Sequence, residues 1–314
     1  MNIIIYPDPN KNLNVNEKNF INVPSYFGNN YKCIKDTDIV SLKIFTNQIK
    51  EKINLIIILL DNYATFIYKN IYFIFNNKNI KFFILENDIH YLKSKPDTYK
   101  RYNSFRSKIK ENNHIYILAH YWYHYLKIFN INNSRVIKFP KFILKENIEN
   151  IGSINDVPIR KILLSGSTTS HYPMRRYLKS LNHPKIEVLS HNDNIYGNDY
   201  LKYLKNFICA FCCCLNNHTP YIIKKFFEIP LSGCLLLAYD EFVKNELKEI
   251  GFIDGENYIS CNKKNLLSKI NWICDYKNKN EVDRIRFNGN KLVIKNHTEE
   301  NRYNIIKDKI SLLV

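Results

Sequence analysis

Acidic residues are in short supply. Only 29 Asp and Glu face 46 Lys and Arg, a formal charge of +17 over 314 residues. Long apolar runs are missing too: "INLIIILL" (53–60) is eight residues, whereas a membrane-spanning helix needs about 20. The N-terminal "MNIIIYPDPN" has no basic region followed by a long apolar core, so it does not read as a signal peptide. The expectation is a soluble or at most peripheral protein. Cysteines number 8, yet the C-x-x-C pair Cys209/Cys212 has no second pair at matching spacing, which argues against a four-ligand zinc site. Glycine stands at 8 while Asn, Ile and Lys are over-used. That bias is the codon drift of an AT-rich genome, and it removes much of the functional meaning from the lysines.

The basic excess raises nucleic acid as a partner. The lysines are scattered singly, however, with no zinc-finger spacing or RNA-binding aromatic signature, so nucleic acid is disfavoured. A small polyanionic ligand or an anionic membrane surface suits the same field. Apolar residues reach 45% and aromatics 14%, with 23 Tyr and 19 Phe, enough for real cores. The length suggests two domains. The "CAFCCC" run lies in a segment that reads as a buried strand, where free Cys acts as a small hydrophobe. Reduced thiols point to a cytoplasmic compartment.

Apolar runs alternate with helical periodicity. "NIIIYP" (2–7), "LIIILL" (55–60), "IKFFILEN" (80–87), "HIYILAH" (114–120) and "SRVIKFP" (134–140) predict strands buried on both faces. The pattern restarts with "IRKILLSG" (159–166), "KIEVLS" (185–190), "FICAFCCCL" (207–215) and "CLLLAY" (234–239). Strands alternating with helices imply parallel sheets covered by helices. The polar stretch 145–158 is the expected joint, giving domains 1–150 and 151–296, with 297–314 as a terminal helix.

Ligands of open parallel sheets bind beyond the carboxyl ends of strands. That rule selects "SGSTTSHYPMRR", in which Gly166, Ser167 and Thr168 follow a strand and lead into a helix. Such a loop can cradle phosphate, with Arg175 and Arg176 in reach, or it is an ordinary Ser/Thr turn capping a helix. A second stretch, "KKFFEIPLSGCLLLAYDE" (224–241), places Lys225 and Glu228 one turn apart at a helix-to-strand junction. This is either a solvated i,i+3 ion pair or a pair that grips a ligand.

The sweep "SGSTTSHYPMRRYL…GNDYLKYLKNFICAFCCCLNN…KKFFEIPLSGCLLLAYDEF…NHTEENR", roughly residues 159 to 302, resembles group 1 glycosyltransferases of the GT-B fold, in the branch common in bacteria and giant viruses. The resemblance implies an α/β protein of two Rossmann-like domains facing each other across a cleft. It also implies transfer of a sugar from a nucleotide-sugar to a glycan or protein-linked acceptor. Lys225 then falls near the donor diphosphate, Glu228 on the ribose hydroxyls, and Gly233 at a turn where the backbone comes close. The final helix would cross back onto the first domain. In the first domain, Asp88 and His90 resemble a D-x-H strand end, and His120 closes another strand; each His is either a general base or a satisfied structural residue, and Asp88 suits a helix N-cap equally. No metal or other cofactor is expected, since no D-x-D is read at a strand end and cations can neutralise the leaving diphosphate.

Two departures stand out. Pro220 occupies the place of a second, sugar-engaging glutamate, and Ser167 that of a basic residue after the strand-end glycine. A binding protein without catalysis is therefore a rival reading, separable by donor turnover against donor binding. Pro230 should bend the helix just past Glu228. The composition fits a giant-virus protein working in host cytoplasm.

Overall fold

Strands form where apolar runs can bury both faces. In the first unit these are β1 (Asn2–Tyr6), β2 (Tyr31–Lys35), β3 (Leu55–Ile58), β4 (Lys81–Glu86), β5 (Ile115–Ala119) and β6 (Val136–Lys138). They make one parallel sheet in the order β2-β1-β3-β4-β5-β6. The second unit has β7 (Ile159–Leu164), β8 (Ile186–Val188), β9 (Phe207–Cys213), β10 (Leu235–Tyr239) and β11 (Ile259–Cys261), parallel in the order β11-β10-β9-β7-β8. The computed structural model describes residues 1–11, 17–60, 63–86, 104–127, 129–170, 172–189, 195–214 and 221–313. Strands β2 and β11 carry no long apolar run because each is an edge strand with one neighbour and partly exposed residues.

The chain divides after Pro140, not after residue 150, into Met1–Pro140 and Lys141–Val314. The stretch expected to be a bare joint begins with a helix, Lys145–Ile151. That helix is tied to the second unit: Asn147 Nδ2 donates to Asn198 Oδ1 at 2.8 Å and Lys205 Nζ to the Ile151 carbonyl at 3.0 Å. The terminal helix Glu299–Ser311 also groups with the second unit, and Arg302 donates to the Lys141 carbonyl at 3.2 Å. Two long helices escaped the sequence reading, Tyr63–Asn76 and Lys279–Asn296. Among the described residues no helix is long and apolar enough to cross a membrane.

The "CAFCCC" run lies in and just beyond β9, and Cys209, Cys212, Cys213 and Cys214 are buried free thiols. Alternation splits them. Cys209 and Cys213 join the core with Ile162, Leu235 and Ile270, while Cys212 faces the opposite side of the sheet.

Candidate functional site

In the second sheet the order 2-1-3-4-5, counted from β7, reverses the winding direction between β7 and β9. Crossover helices leave these two strands toward opposite faces, opening a crevice at their carboxyl ends. The loop after β7 begins with Ser165, Gly166, Ser167 and Thr168. Lys225 opens the helix Lys225–Leu231 on the crossover that follows β9. Parts 60 residues apart in sequence therefore meet at the switch point, where Lys225 Nζ donates to Ser165 Oγ at 2.9 Å.

Gly166 has φ +90° and permits a very close approach. A Cβ built there would lie 2.8 Å from Lys225 Nζ and 3.0 Å from an Arg175 terminal nitrogen. Two cations thus flank one backbone position that has no side chain. Arg175, in the helix Pro173–Ser180, is 3% exposed. Its guanidinium lies 4.0 Å from the Tyr172 ring, and its buried Nε has no hydrogen-bond partner among the described residues. Arg176, the alternative, is exposed. Burial, and then the Arg175 charge, pull the Lys225 ammonium down to about 8, against opposing effects of Glu228, Cys212 and Cys213. Two desolvated cations held this close leave a positive potential that an anion relieves.

The bland reading of Lys225 and Glu228 does not describe this site. Lys225 goes to Ser165, and among the described residues no ion pair joins it to Glu228. Glu228 is half-buried in the first turn of the same helix. Ser167 forms a local turn, its Oγ accepting from Thr169 N at 3.3 Å, and Thr168 sits half-buried beside it.

What holds this helix is a set of long-range caps. Pro230 lies inside it, and the helix closes one residue later, at Leu231. The helix Lys279–Asn296 covers that end: Asn290 Nδ2 donates to the Pro230 and Leu231 carbonyls at 3.1 and 2.8 Å, and Arg286 donates to the Gly233 carbonyl at 2.9 Å. At Gly233, φ +75°, the close approach is to protein: a Cβ would lie 2.6 Å from an Ile154 methyl. Gly233 therefore fills a turn that packs closely against Ile154. The "HTEENR" segment is also a fastening. His297 donates from Nε2 to the Ile250 carbonyl at 2.9 Å and accepts from Arg302 at Nδ1 at 2.7 Å. Its ring packs on Phe227 of the Lys225 helix at 4.9 Å. Burial and the Arg302 charge push its pKa down to about 3, so it stays neutral.

In the first unit, His120 follows β5 and is buried, its Nδ1–H donating to the Phe139 carbonyl. A carbonyl only accepts, so in the neutral ring the lone pair is on Nε2. Asp88 and His90 lie outside the described residues. Sequence reasoning missed Glu86, the last residue of β4, paired in register with Ala119 beside His120. Arg106 Nε donates to Glu86 Oε1 at 2.6 Å, both residues are fully buried, and among the described residues Glu86 Oε2 finds no hydrogen-bond partner. Burial raises the Glu86 carboxyl. The signal was the acidic residue ending "KFFILE".

A D-x-D does follow a strand, contrary to expectation: Asp36-Thr37-Asp38 after β2, a strand the sequence did not reveal. Asp36 is already engaged, accepting from Asp8 N at 3.0 Å and Lys11 Nζ at 2.6 Å. In the second unit a cavity of about 630 Å³ opens at the carboxyl ends of β10 and β11, lined by Tyr239, Asp240, Ser260, Lys244 and Lys263. It lies on the far side of β9 from Gly166.

Two parallel Rossmann-like α/β units make this the GT-B fold of glycosyltransferases. HepE of Anabaena in complex with UDP matches with a TM-score of 0.57 over 99% of this chain and 100% of its own, at 11% identity. A glycosyltransferase from Rickettsia africae matches at 0.56, covering 90% of this chain and 86% of its own, with 12% identity. Sucrose-phosphate synthase of Thermosynechococcus elongatus gives 0.55 over 86% and 76%, with 10% identity. At such identities the likeness concerns the fold. No protein-family model matches the sequence, and no curated protein matches it.

Proposed function

We propose that this chain transfers a sugar from a nucleotide-sugar donor to a glycan or glycoprotein acceptor. The observation that carries the reading is the pair of half-buried and buried cations, Lys225 and Arg175, on either side of Gly166 at the switch point of the second sheet. A diphosphate seated against Gly166 would meet both, and Arg175 supplies the charge that Ser167 lacks. Ser167 and Thr168 offer hydroxyls to the same anion. Glu228 accepts from the vicinal hydroxyls of the ribose. The remainder of the donor extends along the strand ends toward the β10–β11 cavity, two strand spacings or about 10 Å away. The two cations neutralise the leaving diphosphate, so no metal or other cofactor is assigned a step. HepE, of the same fold, is known with UDP and with UDP-glucose, which makes UDP the first probe.

In the first unit we assign the acceptor, with His120 Nε2 taking the proton of its hydroxyl; His90 and Asp88 stay secondary candidates. Buried thiols and an AT-rich composition support a cytoplasmic chain of giant-virus type.

The test is donor affinity on two variants. Glu228→Gln is expected to weaken UDP binding by about 1.5–3 kcal/mol, the range for a hydrogen bond to a charged group. Lys225→Ala is expected to weaken UDP more than uridine, because only UDP presents the anion. Calorimetry on both, with melting temperatures alongside, checks it. Wild-type affinity in both variants would remove the donor-site assignment.

A further inference from the structure

Tyr200 is nearly buried in the helix Gly197–Leu204, on the crossover from β8 to β9. Its hydroxyl is bonded to a side chain, Ser165 Oγ, at 2.6 Å, and either oxygen can be the donor. The same Ser165 Oγ accepts from Lys225 Nζ at 2.9 Å. The Lys225 ammonium also lies 4.9 Å from the centroid of the Tyr200 ring, a cation–π distance. Three elements that are remote in sequence thus converge on one ammonium. The serine opens the loop after β7, the tyrosine comes from the helix leading to β9, and the lysine from the helix after that strand. The tyrosine holds that lysine twice, through its ring and through its hydroxyl.

A lysine side chain has four rotatable carbons, and left to itself it samples many positions. One hydrogen bond to Ser165 uses one of its three N–H donors and leaves two for an anion beside Gly166. A serine hydroxyl is itself a rotor. Its bond to the Tyr200 hydroxyl fixes the rotor, and packing fixes the tyrosine. Ordering the cation before the ligand arrives lowers the cost of binding.

We propose that Tyr200, acting through Ser165, is the positioning residue that holds the Lys225 ammonium beside Gly166 ready for a diphosphate. This rests on the donor-site reading of the cluster. Tyr200 is not a donor-contacting residue in this scheme. Its loss should cost the anion and leave the nucleoside alone.

The experiment measures UDP, uridine and inorganic pyrophosphate binding by calorimetry to the full chain and to Tyr200→Phe, Ser165→Ala, Lys225→Ala and the double variant Tyr200→Phe/Lys225→Ala. Tyr200→Phe keeps the ring and removes only the hydroxyl. It is expected to weaken UDP and pyrophosphate roughly fivefold to tenfold, the scale of one hydrogen bond, with uridine unchanged. In the Lys225→Ala background the same change should have no further effect, since both act on one cation. Ser165→Ala should reproduce the Tyr200→Phe pattern, and it serves as the readout if Tyr200→Phe folds poorly. Wild-type UDP affinity in Tyr200→Phe and Ser165→Ala would overturn the proposal while leaving the donor site standing. So would an equal loss for UDP and uridine, or full additivity with Lys225→Ala. If Lys225→Ala binds UDP like wild type, or if the wild type binds neither UDP nor pyrophosphate, the donor-site reading falls and the positioning role falls with it.

Discussion

Lys225 titrates in a range that laboratory buffers span, and this gives the site a pH signature. Burial, then the Arg175 charge, bring its ammonium down to about 8, with Glu228, Cys212 and Cys213 acting the other way and Tyr200 and Ser165 in contact. An anion binds the charged amine and raises its pKa, so binding takes up a proton when the free amine is neutral. UDP affinity should therefore fall as pH rises through 8, with proton uptake appearing above 8. Calorimetry in buffers of different ionisation enthalpy measures both. Lys225→Arg keeps its charge at any accessible pH and should flatten the profile. A wild-type affinity unchanged between pH 7 and 9.5 would show that the ammonium is not part of the binding group. The sequence marked Lys225, Glu228 and Gly166 through their places at strand and helix ends. It was silent on Ser165 and Tyr200, because nothing in a single strand-end serine or mid-helix tyrosine says which lysine will lie between them.

One helix secures the Lys225–Leu231 helix from behind. Gly289 lies buried in the middle of Lys279–Asn296 and lets it approach the 257 loop and Pro230. In an ordinary helix interior Gly→Ala gains about 1 kcal/mol. Here a Cβ would lie 2.5 Å from the Asn257 carbonyl oxygen, a backbone atom with little freedom to move. Gly289→Ala should therefore destabilise the protein by about 1–3 kcal/mol, the usual scale of overpacking, and weaken UDP binding through the displaced Pro230 end. Thermal or denaturant unfolding checks the sign, and a raised melting temperature would contradict the packing. Pro230 itself read in sequence as a helix bend. Its carbonyl and that of Leu231 find their donors in Asn290, a residue of a helix the sequence reading had not identified. Caps supplied from 60 residues away leave no local signature.

Across the whole molecule the two units share one plan, winding outward from the first strand as 2-1-3-4-5-6 in the first and 2-1-3-4-5 in the second. If transfer needs a base on the first unit and a donor grip on the second, the two losses separate. His120→Ala should lower turnover by about 100-fold or more with UDP affinity unchanged. Steady-state rates and calorimetry on one preparation decide this. Unchanged turnover would return His120 to a structural role beside Phe139, and lost UDP affinity would move it into the donor site.

The sequence by itself determined the strands with long apolar runs, the two-unit α/β plan, the buried thiol strand and the strand-end loop at Gly166. Each rests on a local pattern: an apolar period, a glycine after a strand, the absence of a competing motif. Edge strands β2 and β11 escaped because an edge needs little apolar sequence. The division at Pro140 escaped because a polar helix, Lys145–Ile151, looks like a linker until its partner Asn198 is known. Tertiary structure alone chose Arg175 over Arg176, since adjacent helical residues point about 100° apart and only packing says which one turns inward. It also gave Lys225 to Ser165 and Tyr200 and not to Glu228. That choice depends on the strand order that sets β7 beside β9 and brings their carboxyl ends together.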